Sequence, residues 1–238
     1  GDVYKRQGVY LTDRTTVEKA EKMKVGTCLN PLHTALAVYG CLLGYTSIAA
    51  EMGDADLKAL VEQIAAESLP VVEDPGILSP RAFIDEVLHE RFPNPAIPDT
   101  PQRIAADTSQ KLPVRYGGTL RRYARQSEQA LAGLEFAPLV FAGWCRYLLG
   151  VDDRGNAMPV SPDPMLPQLQ AHLKGIEVGR PDSLAGQLRP ILSNAALFGV
   201  DLYAAGLGER TEEMFRDMLA GPGAVRATLH RNCVCKQP

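Results

Sequence analysis

The sequence has no sustained strand pattern, no glycine-rich nucleotide turn, no long apolar run and no excess of basic residues. Each absence excludes something. Without alternating segments bounded by hairpin turns, an all-β fold is excluded. Without a glycine-rich turn joining strand to helix and an acidic residue about twenty positions on, the chain holds no dinucleotide fold of its own. The Gly206/Gly208 pair sits between helices and reads as a turn. No apolar run reaches the roughly 18 residues of a membrane span; Ala35 to Leu43 is the longest candidate and contains Gly40. The opening GDVYKRQGVY is too polar for a signal peptide. A net charge of −3 offers no field to hold nucleic acid. Cysteine is scarce and odd in number, and Cys28, Cys41 and Cys145 lie in apolar stretches, so free thiols in a reducing cytoplasm are expected. Cys233 and Cys235 have the spacing of a redox or metal pair but no second ligand pair, and no metal site is expected.

What remains is helical periodicity in a chain of 238 residues. Helix formers fill Val17 to Val25. Asn30-Pro31 reads as the start of a new helix, with asparagine as cap and proline in the first turn, carrying Leu32, Ala35, Leu36, Tyr39 and Leu42 on one face. Asp54 to Ser68 and the segment capped by Ser79-Pro80 follow. The four prolines of FPNPAIPDTP demand an irregular connection; short turns broken at Pro113 come next. Thr119 to Leu131, Ala137 to Leu149, Met165 to Gly175, Ser183 to Leu192 and Glu209 to Leu219 complete an all-α reading, with a softer break from Gly150 to Pro164. Asp152-Asp153 is read as a turn beside Gly155 rather than a metal site.

Chemistry concentrates in EKMKVGTCLNPLH, Glu21 to His33. If Asn30 and His33 stand at a helix start, the dipole there favours negative charge on a substrate oxygen. A lysine beside a second cation and partly desolvated loses proton affinity and can serve as a base. Taken alone, Lys24 reads as a solvated surface charge, Asn30 as a cap and His33 as structural.

Lys24, Asn30 and His33, running into NPLHTALAVYGCLLGY, resemble the signature of the polyol-specific long-chain dehydrogenases, the mannitol dehydrogenase family. The resemblance covers Tyr10 to Leu229 and implies an all-α C-terminal substrate domain. It implies Lys24 as general base, Asn30 as alkoxide stabiliser and His33 as substrate orienter. Glu21 matches a position associated with proton passage to the base. In DTPQRIAADTSQKLPVRYGGTL, Arg103 and Lys111 match residues that bind substrate hydroxyls, while Asp107 and Ser109 read as helix caps. The family pattern has four residues between lysine and asparagine; this chain has five.

The implied activity is NAD- or NADP-dependent, metal-free interconversion of a polyol or aldonate alcohol and its 2-keto sugar, as in mannitol 2-dehydrogenases. Fructuronate reductase (mannonate oxidoreductase) is the alternative, and a carboxylate substrate would ask for a further cation among Arg115, Arg121 and Arg122. A non-catalytic helical sugar-binding or interaction module is the reading from another class. The expected organisation is a leader over 1–9, a helical domain over 10–230 and a tail over 231–238, cytoplasmic, monomeric or dimeric. Such a chain is expected to be half of a longer enzyme, inactive by itself, with an apolar docking face near Asn30 and His33.

Overall fold

The computed structural model describes residues 12–234; the expected leader lies outside them. Helices account for the architecture, and the only β pairings among the described residues are the isolated bridges Val151–Ala157 and Glu177–Arg180. In chain order the α-helices are α1 (Arg14–Glu21), α2 (Asn30–Leu43), α3 (Ile48–Glu51), α4 (Ala55–Ser68), α5 (Pro80–Glu86), α6 (Pro101–Ile104), α7 (Thr108–Arg115) and α8 (Gly117–Gln126). They continue with α9 (Glu128–Ala132), α10 (Phe136–Tyr147), α11 (Leu166–His172), α12 (Arg189–Leu192), α13 (Ala195–Phe198), α14 (Gly208–Met218) and α15 (Ala224–Cys233). Two π-helices, Lys22–Leu29 and Val87–Arg91, interrupt the set. None of these helices is long and apolar enough to cross a membrane.

Two helices make the centre. Every residue of α2 from Pro31 to Leu42 is buried except His33, and every residue of α10 from Ala137 to Tyr147 is buried. The single-face pattern read from the sequence for α2 understates this. Alanines, Gly40 and Cys41 fill its remaining faces and let neighbours approach on all sides. The two helices meet at Tyr39, whose hydroxyl donates to Leu139 O at 2.7 Å. A Cβ on Gly143 would lie 2.6 Å from the Tyr39 ring, so glycine is what permits that approach.

The cap expected at Ser79 is present, accepting from Ala82 N, and Asp54 caps α4 in the same way, accepting from Leu57 N. Two boundaries differ from the sequence reading. Pro113 lies inside α7 instead of breaking it, and the interruption falls at Tyr116. At the C-terminus α15 carries on to Cys233, whose side chain is buried, so the first residues of the expected tail are helical. Asp152 forms the anticipated turn, accepting from Arg154 N and Asn156 N, and the Asp153 carboxylate caps α15 at Val225 N. Cys28, Cys41, Cys145 and Cys233 are free and buried, and burial pushes each thiol up to about 12.

Candidate active site

The helical run from Arg14 to Leu43 is unbroken, with the π-helix joining α1 to α2. This overturns the reading of Asn30 as a cap. Its backbone is helical (φ −67°, ψ −34°), and its N–H donates to Val25 O, an i→i−5 bond. The chain has no free helix start here, so the dipole argument for Asn30 and His33 falls with the cap. The cause sits one residue on. Pro31 cannot donate, and inside an α-helix its ring would press on the carbonyl of Thr27; winding the preceding turn wider relieves that clash.

The same widening answers the spacing of five between Lys24 and Asn30. An extra residue in a regular α-helix rotates everything beyond it by roughly 100°. A π turn takes up additional residues without that rotation, and such turns recur at functional sites.

His33 is the one partly open residue in its stretch of α2, with 12% of its side chain exposed. Its ring stacks on Phe92 (centroids 5.3 Å apart). Nε2 lies 3.3 Å from Asp99 Oδ2, yet the angle makes no hydrogen bond, and this buried nitrogen has no other partner. Burial lowers the His33 pKa to about 4; Asp99 opposes the shift, and Arg115, Arg91 and Arg103 add to it. At neutral pH the imidazole is therefore uncharged and can donate or accept according to its tautomer.

Asp99 ties His33 to Arg103, which pairs with its other carboxylate oxygen. Asp99 O also accepts from Ile48 N at 3.0 Å, which fixes the connection to the start of α3. Thr100 caps α6, accepting from Arg103 N. Lys111 on α7 donates to Ile104 O at 2.9 Å, and burial lowers its pKa. The structure thus joins His33 to Arg103 through Asp99, and Lys111 to the turn after Arg103 through Ile104 O. The capping role expected of Asp107 and Ser109 belongs to Asp163. Its carboxylate accepts from Ser109 N at 2.8 Å and Ser109 Oγ at 2.5 Å, while Asp107 takes a left-handed backbone (φ 55°) and makes no cap.

Lys24 and Glu21 stand apart. Lys24 is half-buried with its ammonium over the Phe83 ring, 5.4 Å from the centroid. No hydrogen bond or ion pair joins it to Asn30 or His33 among the described residues. Glu21 is exposed and makes no bond there either. A cleft of about 540 Å³ is lined by Lys22, Glu73, Pro113, Arg121 and Arg125, and none of the six sequence-named residues lines it. The exposed large apolar side chains are Val17, Val25 and Val114. Val25 and Val114 adjoin Lys24 and Arg115 in sequence.

Sequence reasoning missed Asp99 and Glu51. Asp99 had a signal, the DTP that starts α6. Glu51 had none; it looks like an ordinary helix glutamate, yet it is fully buried and neither carboxylate oxygen has a partner. Burial pushes it up to about 9, with Asp54 adding to the shift. It lies behind the site, where a Cβ on Gly40 would meet Glu51 Oε1 at 2.3 Å and Pro101 Cγ at 2.8 Å.

Comparison with known proteins bears on this arrangement. Residues 16–213 match the family described as the mannitol dehydrogenase C-terminal domain. A D-mannonate oxidoreductase of Thermotoga maritima is 56% identical over 223 residues, 94% of this chain and 41% of that protein. A mannitol 2-dehydrogenase of Emericella nidulans is 35% identical over 209 residues, 84% of this chain and 37% of the relative. Among solved structures, Pseudomonas fluorescens mannitol 2-dehydrogenase in a ternary complex with NAD and D-mannitol matches with a TM-score of 0.75 at 28% identity. That match covers 99% of this chain and 44% of the other. The chain spans about two fifths of the length of the relatives it matches.

Proposed function

Since the chain belongs to the mannitol dehydrogenase family and matches its C-terminal domain, we propose that it supplies the substrate-binding and proton-handling half of an NAD(P)-linked oxidoreductase. The reaction interconverts a secondary alcohol of a polyol or aldonate and the corresponding 2-keto sugar. The observation that carries the reading is that Asp99 links His33 to Arg103 while Lys111 bonds the carbonyl just after Arg103, with an imidazole nitrogen left without a hydrogen-bond partner. Arg103 and Lys111 are distant in sequence from His33, which stands one turn beyond Asn30 on α2. Their spare donors suit a ligand rich in hydroxyls.

The nicotinamide nucleotide is assigned mainly to a nucleotide-binding domain outside this chain, where it would exchange hydride with the sugar carbon. The residues here do the remaining work. Arg103 and Lys111 hold substrate hydroxyls. His33, neutral at pH 7, orients the reacting oxygen from the floor of the site. Asn30 donates to the developing alkoxide, which needs a side chain free of capping duty. The Lys24 amine takes the hydroxyl proton and becomes the ammonium, with Phe83 below Nζ and Glu21 as the exit to solvent. A site shared between two domains is open on one side until they meet, and Val25 and Val114 are the apolar contacts offered here. The buried free thiols suit the reducing cytoplasm. A monomer or dimer is the assembly we assign.

The test is an assay of the full-length protein with NADH and NADPH against fructose and fructuronate, wild type beside Lys24→Ala. Cofactor-linked turnover that falls by about 10²- to 10⁴-fold in the variant supports the reading. No turnover of any ketose or keto acid sinks it. Full activity in the variant removes the base from Lys24.

A further inference from the structure

The proposed function leaves the far end of the substrate undefined, and one cation in the cluster has no task. Arg115 ends α7, one turn beyond Lys111 on the same face. Its guanidinium is half-buried, and one of its five donors is used within the described chain: Nη1 donates to Thr34 Oγ1 at 2.5 Å. Thr34 in turn donates to Asn30 O at 2.9 Å, so Arg115 is tied to the turn of α2 that bears Asn30 and His33. The next residue fastens the same place, for Tyr116 donates its hydroxyl to Pro31 O at 2.7 Å. Among the described residues no carboxylate holds Arg115. Burial lowers its pKa, with the Tyr116 phenol opposing the shift, and its charge is felt by both His33 and Lys111.

Such a side chain is costly by itself. A half-buried guanidinium beside a second cation at i,i+4 loses hydration and meets repulsion. Around His33, Arg91, Arg103 and Arg115 stand against Asp99 alone, and Asp99 is already engaged by Arg103. The other two arginines considered from the sequence are accounted for elsewhere. Arg121 is exposed in the neighbouring cleft, and Arg122 lies 4.0 Å from Glu73.

We propose that Arg115 reads a carboxylate on the substrate, which makes the chain's substrate a sugar acid of the mannonate/fructuronate kind and not an uncharged polyol. This rests on the proposed function and sharpens it. The planar fork with its spare N–H groups matches a carboxylate in two parallel hydrogen bonds, and the excess of positive charge around His33 supplies the attraction. An uncharged hydroxymethyl group in the same place would leave the guanidinium unpaired, and that is the basis of discrimination.

The experiment uses the full-length enzyme as wild type, Arg115→Gln and Arg115→Lys. It reads kcat/KM for fructuronate and fructose, and calorimetric binding of mannonate and mannitol, with a melting curve for each variant. In the wild type the acid is expected to be preferred in both readouts. In Arg115→Gln, fructuronate kcat/KM is expected to fall about a hundredfold, carried by KM, and mannonate binding to weaken in step. The loss on the uncharged partners should be at least tenfold smaller. Arg115→Lys keeps the charge without the fork and should recover part of the loss on the acids alone. If Arg115→Gln does not fold, the lysine variant decides by the same split between acid and polyol. Equal losses on acid and polyol, no loss on either, or a wild type indifferent to the carboxylate would each overturn the proposal. Mannonate binding that depends on Arg115 without any turnover would uphold it while the proposed reaction failed.

Discussion

Two polar clusters flank the central helix, and they are built on opposite principles. The first joins α4 to α15. Arg226 donates to both oxygens of Asp54 (2.8 and 2.6 Å) and to Asp56 (3.0 Å), and the Tyr45 hydroxyl donates to Asp54 at 2.6 Å. His230 Nδ1 lies 2.7 Å from the remaining Asp56 oxygen, and Asp54 also caps α4. Burial alone would raise Asp54, but the bonds from Arg226 and Tyr45 hold it down at about 2. Charges and donors close on one another. The second cluster, at His33, has cations in excess, an orphan imidazole nitrogen and a guanidinium using one donor. A network that satisfies itself holds the fold together; one that leaves donors over has room for a partner from outside the chain, which is the role proposed for the second.

That contrast can be broken most sharply at Asp54. Asp54→Ala removes a cap and leaves Arg226 with Asp56 as its one carboxylate partner, and denaturant unfolding should show a loss of about 3 kcal/mol. A loss below about 1 kcal/mol would mean that the first cluster is not structural.

Glu51 lies between the clusters and sharpens the comparison through pH. It keeps its proton in the fold up to about 9, whereas the unfolded chain releases it near 4.5. The folded state therefore binds more protons across that window, and stability falls as pH rises from 4.5 to 9, on the order of 1 kcal/mol per unit. Glu51→Gln should flatten this limb. His33 works in the other direction. Unfolded it takes a proton near 6.5, folded only near 4, so stability falls as pH drops between those values. His33→Gln should remove that acid limb, which is shorter than the Glu51 limb. Melting temperatures measured from pH 4 to 9 read both.

The smallest stability effect belongs to Arg103. Its side chain is 66% exposed, so Arg103→Ala should cost less than about 1 kcal/mol. Its substrate KM in the full-length protein should nevertheless rise. A change in stability as large as that of Asp54→Ala would erase the distinction between the clusters.

Much of this was legible in the sequence, for identifiable reasons. Ser79 caps because its side chain reaches the N–H just beyond, a local rule that needs no tertiary knowledge. Arg103 and Lys111 came from resemblance; Asp99 links Arg103 to His33, and Lys111 bonds the next turn at Ile104 O. The misses share a cause in long-range packing. Asn30-Pro31 carries the local signal of a helix start, yet the π-helix packs against α5 and α2 and carries the helix through it. Pro113 sits within α7 for a similar reason, since Leu112 and Tyr116 are buried on either side of it. Glu51 was invisible because nothing local marks a glutamate that faces Gly40 and Pro101. Asp99 becomes meaningful only when α2 and α6 come together.

The most direct measurement compares mannonate binding to the full-length protein, as wild type and Lys111→Met, by calorimetry, with a melting curve for each. Lys111 belongs to the cluster with donors to spare and supports no ion pair within the described chain. Binding at least tenfold weaker, with a melting temperature within about 2 °C of wild type, is the expected result. Unchanged binding, or a melting temperature that collapses in the variant, would contradict the assignment of this cluster to substrate.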